Sequence, residues 1–148
     1  MRLVLMLVVL YVLCLVQVAA GPYFPQLALA SVIIMSWRYD SASPGWARLD
    51  ATLMGAFAGL CLDLSSPGSV GPNLLVLALS GYAAAALKLV IYRGRWAVTL
   101  LCFAALVARW LLLALGGSLS MNLTAHAVSS VLTLVLVYLG TRFFAASP

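Results

Sequence analysis

The chain has 148 residues, of which 66% are hydrophobic and only 7% charged, with a formal net charge of +5. A soluble domain carries about 25% charged residues, and a mean hydropathy of +1.16 exceeds what one water-solvated core absorbs. These values exclude an ordinary soluble enzyme, and without basic patches interleaved with surface aromatics the cationic excess does not point to nucleic acid.

In chain order the apolar runs predict six membrane helices in one domain, residues 1–148. The first covers residues 3–20, interrupted only by Gln17. Its 18 residues would span ~27 Å, near the thickness of a bilayer core, and exceed the core of a typical signal peptide. A retained helix is therefore expected despite the cleavage-like Val18-Ala19-Ala20. Gly21-Pro22 ends it, and Pro25 suits the first turn of a second helix over residues 25–37. That helix, ~20 Å long, is short of the bilayer core, which leaves a half-buried, a re-entrant and a Tyr23-Phe24-extended form open. A polar connector follows, then a third helix over 49–64, a turn-rich connector over 65–72, and a fourth helix over 73–92. The basic turn Arg93-Gly94-Arg95 leads to a fifth helix over 96–115, and Gly116-Gly117 separates it from a sixth over 123–144. Cys14, Cys61 and Cys102 each fall in an apolar run, where cysteine behaves as a small hydrophobe.

Charge orients these spans. Arg2, Arg38, Arg48, Lys88, Arg93, Arg95 and Arg142 all fall on one side of a six-span arrangement, while residues 21–24, 65–72 and 116–122 carry no Lys or Arg. The positive-inside rule then places both termini in the cytoplasm. Trp37, Trp46 and Trp96 fall where an interfacial aromatic belt is expected, whereas Trp110 reads as a packing residue.

Few residues carry chemistry. Asp63, at the outer end of the third helix, has two readings: an acid wetted by headgroups with a local contact to Ser65 or Ser66, or half of an intramembrane ion pair. Arg109 is its natural partner by depth, six residues before Leu115 and so ~9 Å below the outer end. His126, Ser130 and Thr133 form a polar stripe on the sixth helix, with Ser129 beside it. A lone His is more often hydrogen-bonded structure than a ligand. No metal-ligand spacing, Gly-x-Ser-x-Gly motif or nucleophile–base pair occurs, so neither an enzyme nor a cofactor is expected. Asn122-Leu123-Thr124 matches a glycosylation triplet by chance. Gly55, Gly59 and Asp63 recur every fourth residue, and Ala78, Gly81, Ala85 and Lys88 follow at helical steps, which makes small-residue seams suited to helix packing.

The stretch Gly55-x-x-x-Gly59-Leu60-x-x-Asp63-Leu64, then Gly68-x-x-Gly71, then Gly81-Tyr82 resembles the MreD family of bacterial rod-shape-determining membrane proteins. The similarity covers about residues 49–90. Pro25-Gln26-Leu27 departs from it, since the family often has Pro-Asp-Leu there. The resemblance implies a non-enzymatic inner-membrane scaffold of the cell-elongation complex (the elongasome), helping position peptidoglycan synthesis and maintain cell shape. Its implied partners are an MreC-like single-span protein, RodA and a class-B penicillin-binding protein, with MreB filaments engaged indirectly. It also implies a fold similar to the substrate-binding subunits of energy-coupling-factor transporters. On the scaffold reading, Gly55, Gly59, Gly68, Gly71, Gly81 and Tyr82 supply a packing seam or partner-docking face. The alternative is a vitamin-type small-molecule subunit, which needs an outward cavity lined by Asp63, Arg109, Asn122 and His126.

Overall fold

A computed structural model describes residues 2–21, 23–38, 43–65, 71–90, 95–115 and 123–144. Over these the chain is all-helical: α1 Arg2–Ala20, α2 Leu27–Arg38, α3 Pro44–Ser65, α4 Pro72–Val90, α5 Arg95–Leu115 and α6 Leu123–Phe144. By length and composition, Leu3–Ala20 and Thr124–Arg142 are long and apolar enough to cross a membrane, and Leu27–Arg38, Pro72–Lys88 and Trp96–Leu112 are shorter apolar helices.

Two helix starts differ from the sequence expectation by two residues or more, for local reasons. Helix α3 starts at Pro44 rather than at 49, because Ser43 precedes a proline at the first helical position. The Ser43 carbonyl accepts from Ala47 N at 3.1 Å, which winds the expected connector into the helix. Helix α2 starts at Leu27 rather than 25, with the Gln26 carbonyl taking the first helical bond from Ala30 N at 3.0 Å.

The shortest helix is the central one. Helix α2 has 12 residues, about 18 Å of helix, and packs against each of the other five. Ala28, Leu29, Ala30, Val32, Ile33 and Ser36 on it are all buried. Helix α1 joins the bundle along one stripe, Leu3, Leu7, Leu10 and Cys14, at helical three- and four-residue steps. Its opposite stripe, Leu5, Val8, Val12 and Leu15, is exposed.

The most extensive contact joins α3 to α4. A Cβ on Gly55 would strike the Leu77 carbonyl, one on Gly59 would meet Asn73 O at 2.5 Å, and one on Gly81 would strike the Ala51 carbonyl. The backbones therefore touch, and small residues are what allow it. The pairs 55 with 77, 59 with 74 and 81 with 51 run in opposite chain directions, so α3 and α4 form an antiparallel hairpin. Contacts from late α5 to early α4 and early α6, and from late α1 to early α2, extend the up-and-down order. One end of the bundle thus gathers the ends of α1, α3 and α5 with the starts of α2, α4 and α6. Arg38, Arg48, Lys88, Arg95 and Arg142 belong to the opposite helix ends.

Candidate functional site

The end of the bundle that lacks those cations is where the polar side chains meet. Asp63 is 3% exposed in the last turn of α3, and its carboxylate reaches across to the start of α4. Oδ2 accepts from Gly71 N at 2.9 Å and Leu74 N at 3.0 Å, while Oδ1 accepts from Asn73 N at 3.2 Å and Asn73 Nδ2 at 2.8 Å. Three of these four donors are backbone N–H groups at a helix N-terminus, which lack partners within the helix. A carboxylate placed there also meets the positive end of the helix dipole. Gly71, with φ +136°, enters this corner in a conformation that L side chains rarely adopt, and Pro72 takes the first helical position.

Arg109 joins the same cluster from α5. Its Nε donates to Asn73 Oδ1 at 2.8 Å. Asn73, 7% exposed, therefore stands between the two charges, donating to the acid and accepting from the base. The arrangement differs from a direct Asp63–Arg109 ion pair because the acid's lone pairs are directed at the α4 terminus. It differs equally from a local cap, since Ser65 Oγ donates to Cys61 O at 2.7 Å; Ser66 lies outside the described residues.

The stripe on α6 divides into two functions. Thr133 is fully buried, accepts from Gln26 N at 2.8 Å and donates to Ser129 O at 2.6 Å. Ser129 Oγ donates to Phe24 O at 2.6 Å, and Gln17 Oε1 accepts from Ala28 N at 2.9 Å. These bonds satisfy the entry to α2, so Gln17 caps a buried helix rather than marring a span. Ser130 Oγ accepts from Trp110 Nε1 at 3.3 Å, and His126 stands edge-on to Trp110 with centroids 6.4 Å apart. Thr133→Val is expected to lower unfolding stability by about 1–3 kcal/mol in a detergent titration, because it leaves the buried Gln26 N–H unpaired.

Between these helix ends lies a half-open cavity of about 390 Å³. Gln17, Gln26, Ser65, Asn73, Arg109, His126 and Ser129 supply its polar lining. Asp63 sits behind Asn73 and is not part of the wall. Asn122 and Gly68 lie outside the described residues. Among the described residues no group of three His, Cys, Asp or Glu side chains comes close enough to hold a metal ion.

Of the glycines singled out in the sequence, Gly55, Gly59 and Gly81 occupy the α3–α4 interface. They face backbone of their own chain, so of the two roles read for this seam the contacts fit packing within the chain. Tyr82, 47% exposed, points away from that contact. Sequence reasoning missed Asn73, Gln26 and Gln17. The available signal was Gly71-Pro72-Asn73, a helix start ten residues after an apolar-run acid. Comparison with family models, with curated proteins and with solved structures finds no match to this chain.

Proposed function

We propose that this chain is a multi-pass protein of a bacterial inner membrane and a non-enzymatic scaffold of the cell-elongation machinery, as its resemblance to the MreD family implies. The observation that carries this reading is that the resembling residues act as one physical unit. Gly55, Gly59 and Gly81 bring α3 and α4 into backbone contact, and Asp63 closes their corner onto Gly71 and Asn73. A motif with that coherence is a folding element rather than a run of unrelated small residues.

The membrane placement is supported by the surface. Leu5 is 66% exposed, Leu64 70%, Leu79 63%, Leu100 65% and Val131 60%, on five different helices. An apolar surface distributed this widely suits lipid rather than water. The basic helix ends, with Trp46 and Trp96 exposed near them, suit the cytoplasmic interface, so both termini face the cytoplasm.

With the glycine seam used internally, the MreC-like partner's single span docks instead on α1. Its exposed stripe Leu5, Val8, Val12 and Leu15 repeats at three- and four-residue steps, the spacing by which one helix accepts another. RodA and a class-B penicillin-binding protein assemble around that pair, and MreB filaments are reached indirectly. Tagged chain co-expressed with an MreC-like protein is expected to retain it through purification. Replacing Val8 and Val12 together with tryptophan is expected to cut that capture at least tenfold at equal membrane yield. Undiminished capture would remove α1 as the docking face, and no capture by the parent chain would remove the scaffold reading.

A second reading, a small-molecule subunit, is favoured by the 390 Å³ cavity, whose size falls in the range of ligand sites. Ligand binding without any partner present would separate it from the first.

A further inference from the structure

The cavity has a chemical bias. Its described wall contains one full charge, the guanidinium of Arg109, and otherwise uncharged polar side chains: the amides of Gln17, Gln26 and Asn73, the Ser65 and Ser129 hydroxyls and the His126 ring. The nearby acid does not offset that charge from within the cavity. Asp63 is committed to four N–H donors at the start of α4 and stands behind Asn73. Asn73 Oδ1 takes Arg109 Nε, which fixes the guanidinium plane while using one of its five N–H donors.

We propose that this cavity binds a phosphate group, held by Arg109 with neutral hydrogen bonds donated by the His126 ring and the Gln17 amide nitrogen. A planar guanidinium recognises phosphate through paired hydrogen bonds, and low surrounding polarity strengthens them. The volume admits a headgroup of glycerol-phosphate size. Val18, 45% exposed on α1, is part of the wall, so the cavity adjoins the surface assigned to lipid. The phosphate then belongs either to an anionic lipid, with its acyl chains lying along the exposed apolar helices, or to a free phosphate ester. The inference rests on the membrane placement above and not on the partner.

Native mass spectrometry of the purified full-length chain in detergent tests it with three probes: dioleoyl phosphatidylglycerol, phosphate-free dioleoylglycerol and glycerol 3-phosphate. Retention of phosphatidylglycerol at least tenfold above dioleoylglycerol identifies the lipid source. Saturable binding of glycerol 3-phosphate alone identifies the soluble one. Arg109→Gln is expected to lower the bound fraction tenfold or more. Val18→Trp, which fills the cavity mouth without removing a polar group, should do the same, and it decides the matter where Arg109→Gln fails to fold. Equal retention of the two lipids with no binding of the ester overturns the proposal, and so does unchanged binding in Val18→Trp. Partner capture measured on the same samples keeps the outcomes separate, because its failure beside intact phosphate binding removes only the scaffold reading.

Discussion

Gly59→Ala is expected to destabilise the chain by about 3 kcal/mol or more, the upper part of the range for overpacking a well-filled interior. The added methyl would meet Asn73 O at 2.5 Å and Leu74 N at 2.6 Å, and both are backbone atoms that cannot rotate away. Gly55→Ala is expected to be as severe, since its Cβ would lie 2.6 Å from the Leu77 carbonyl carbon and 2.9 Å from Ala78 Cα. Relief requires α3 and α4 to separate, and separation pulls Asp63 from the α4 terminus. Gly140→Ala supplies the contrast. There the nearest atom is Ile34 Cδ1 at 3.0 Å, the far end of a flexible side chain. Alanine's better helix propensity, about 0.5–1 kcal/mol over glycine, then roughly offsets the crowding. Gly45→Ala meets nothing within 4 Å and should be neutral or slightly stabilising. Unfolding each variant in mixed micelles with increasing dodecyl sulfate, followed by helical circular dichroism, measures the series. A loss at Gly59 no larger than at Gly140 would mean that the two backbones do not touch.

The difference between those glycines defines what could be read from the sequence. Gly55, Gly59, Gly81 and Gly140 sit in apolar helical runs, and spacing alone marked the first three as a seam without saying which helix fills it. The answer is the next helix in the chain, joined by a connector too short to reach a distant one. Helix positions were legible because apolar runs and Gly-Pro breaks are local signals. The place of α2 was not: its run over 25–37 read as short of the bilayer core with half-buried, re-entrant and extended forms open, and the burial of the 12-residue helix against all five others follows from tertiary packing. Likewise Asn73 reads as an ordinary helix start, and only the fold sets it between an acid ten residues earlier and a base on α5. Asp63 and Arg109 were recognisable because a charge in an apolar run is costly and calls for a partner. Hydropathy carries no information about which neutral group stands between them.

That intermediary gives the second large expected effect. Asp63→Asn is expected to cost about 3–5 kcal/mol, although it is nearly isosteric. Each carboxylate oxygen accepts two N–H bonds, so an amide nitrogen on either side faces two donors instead of meeting an acceptor. Two charge-assisted bonds of about 1.5–3 kcal/mol are lost together, and the α4 terminus loses its counter-charge. Arg109→Gln is expected to cost less, because it removes one bond to Asn73 and relieves a partly buried cation. The double variant separates a relay from a direct pair. A coupling of about 1 kcal/mol between positions 63 and 109 is expected in the parent background, within the range for residues sharing a hydrogen-bond network. In an Asn73→Ala background it should fall to about 0.3 kcal/mol or less, the level of independent sites. If the coupling keeps its full value without the Asn73 side chain, the two charges act on each other through the low-dielectric interior, and the asparagine is only a cap. Its disappearance assigns the communication between α3 and α5 to hydrogen bonds that pass through the first turn of α4.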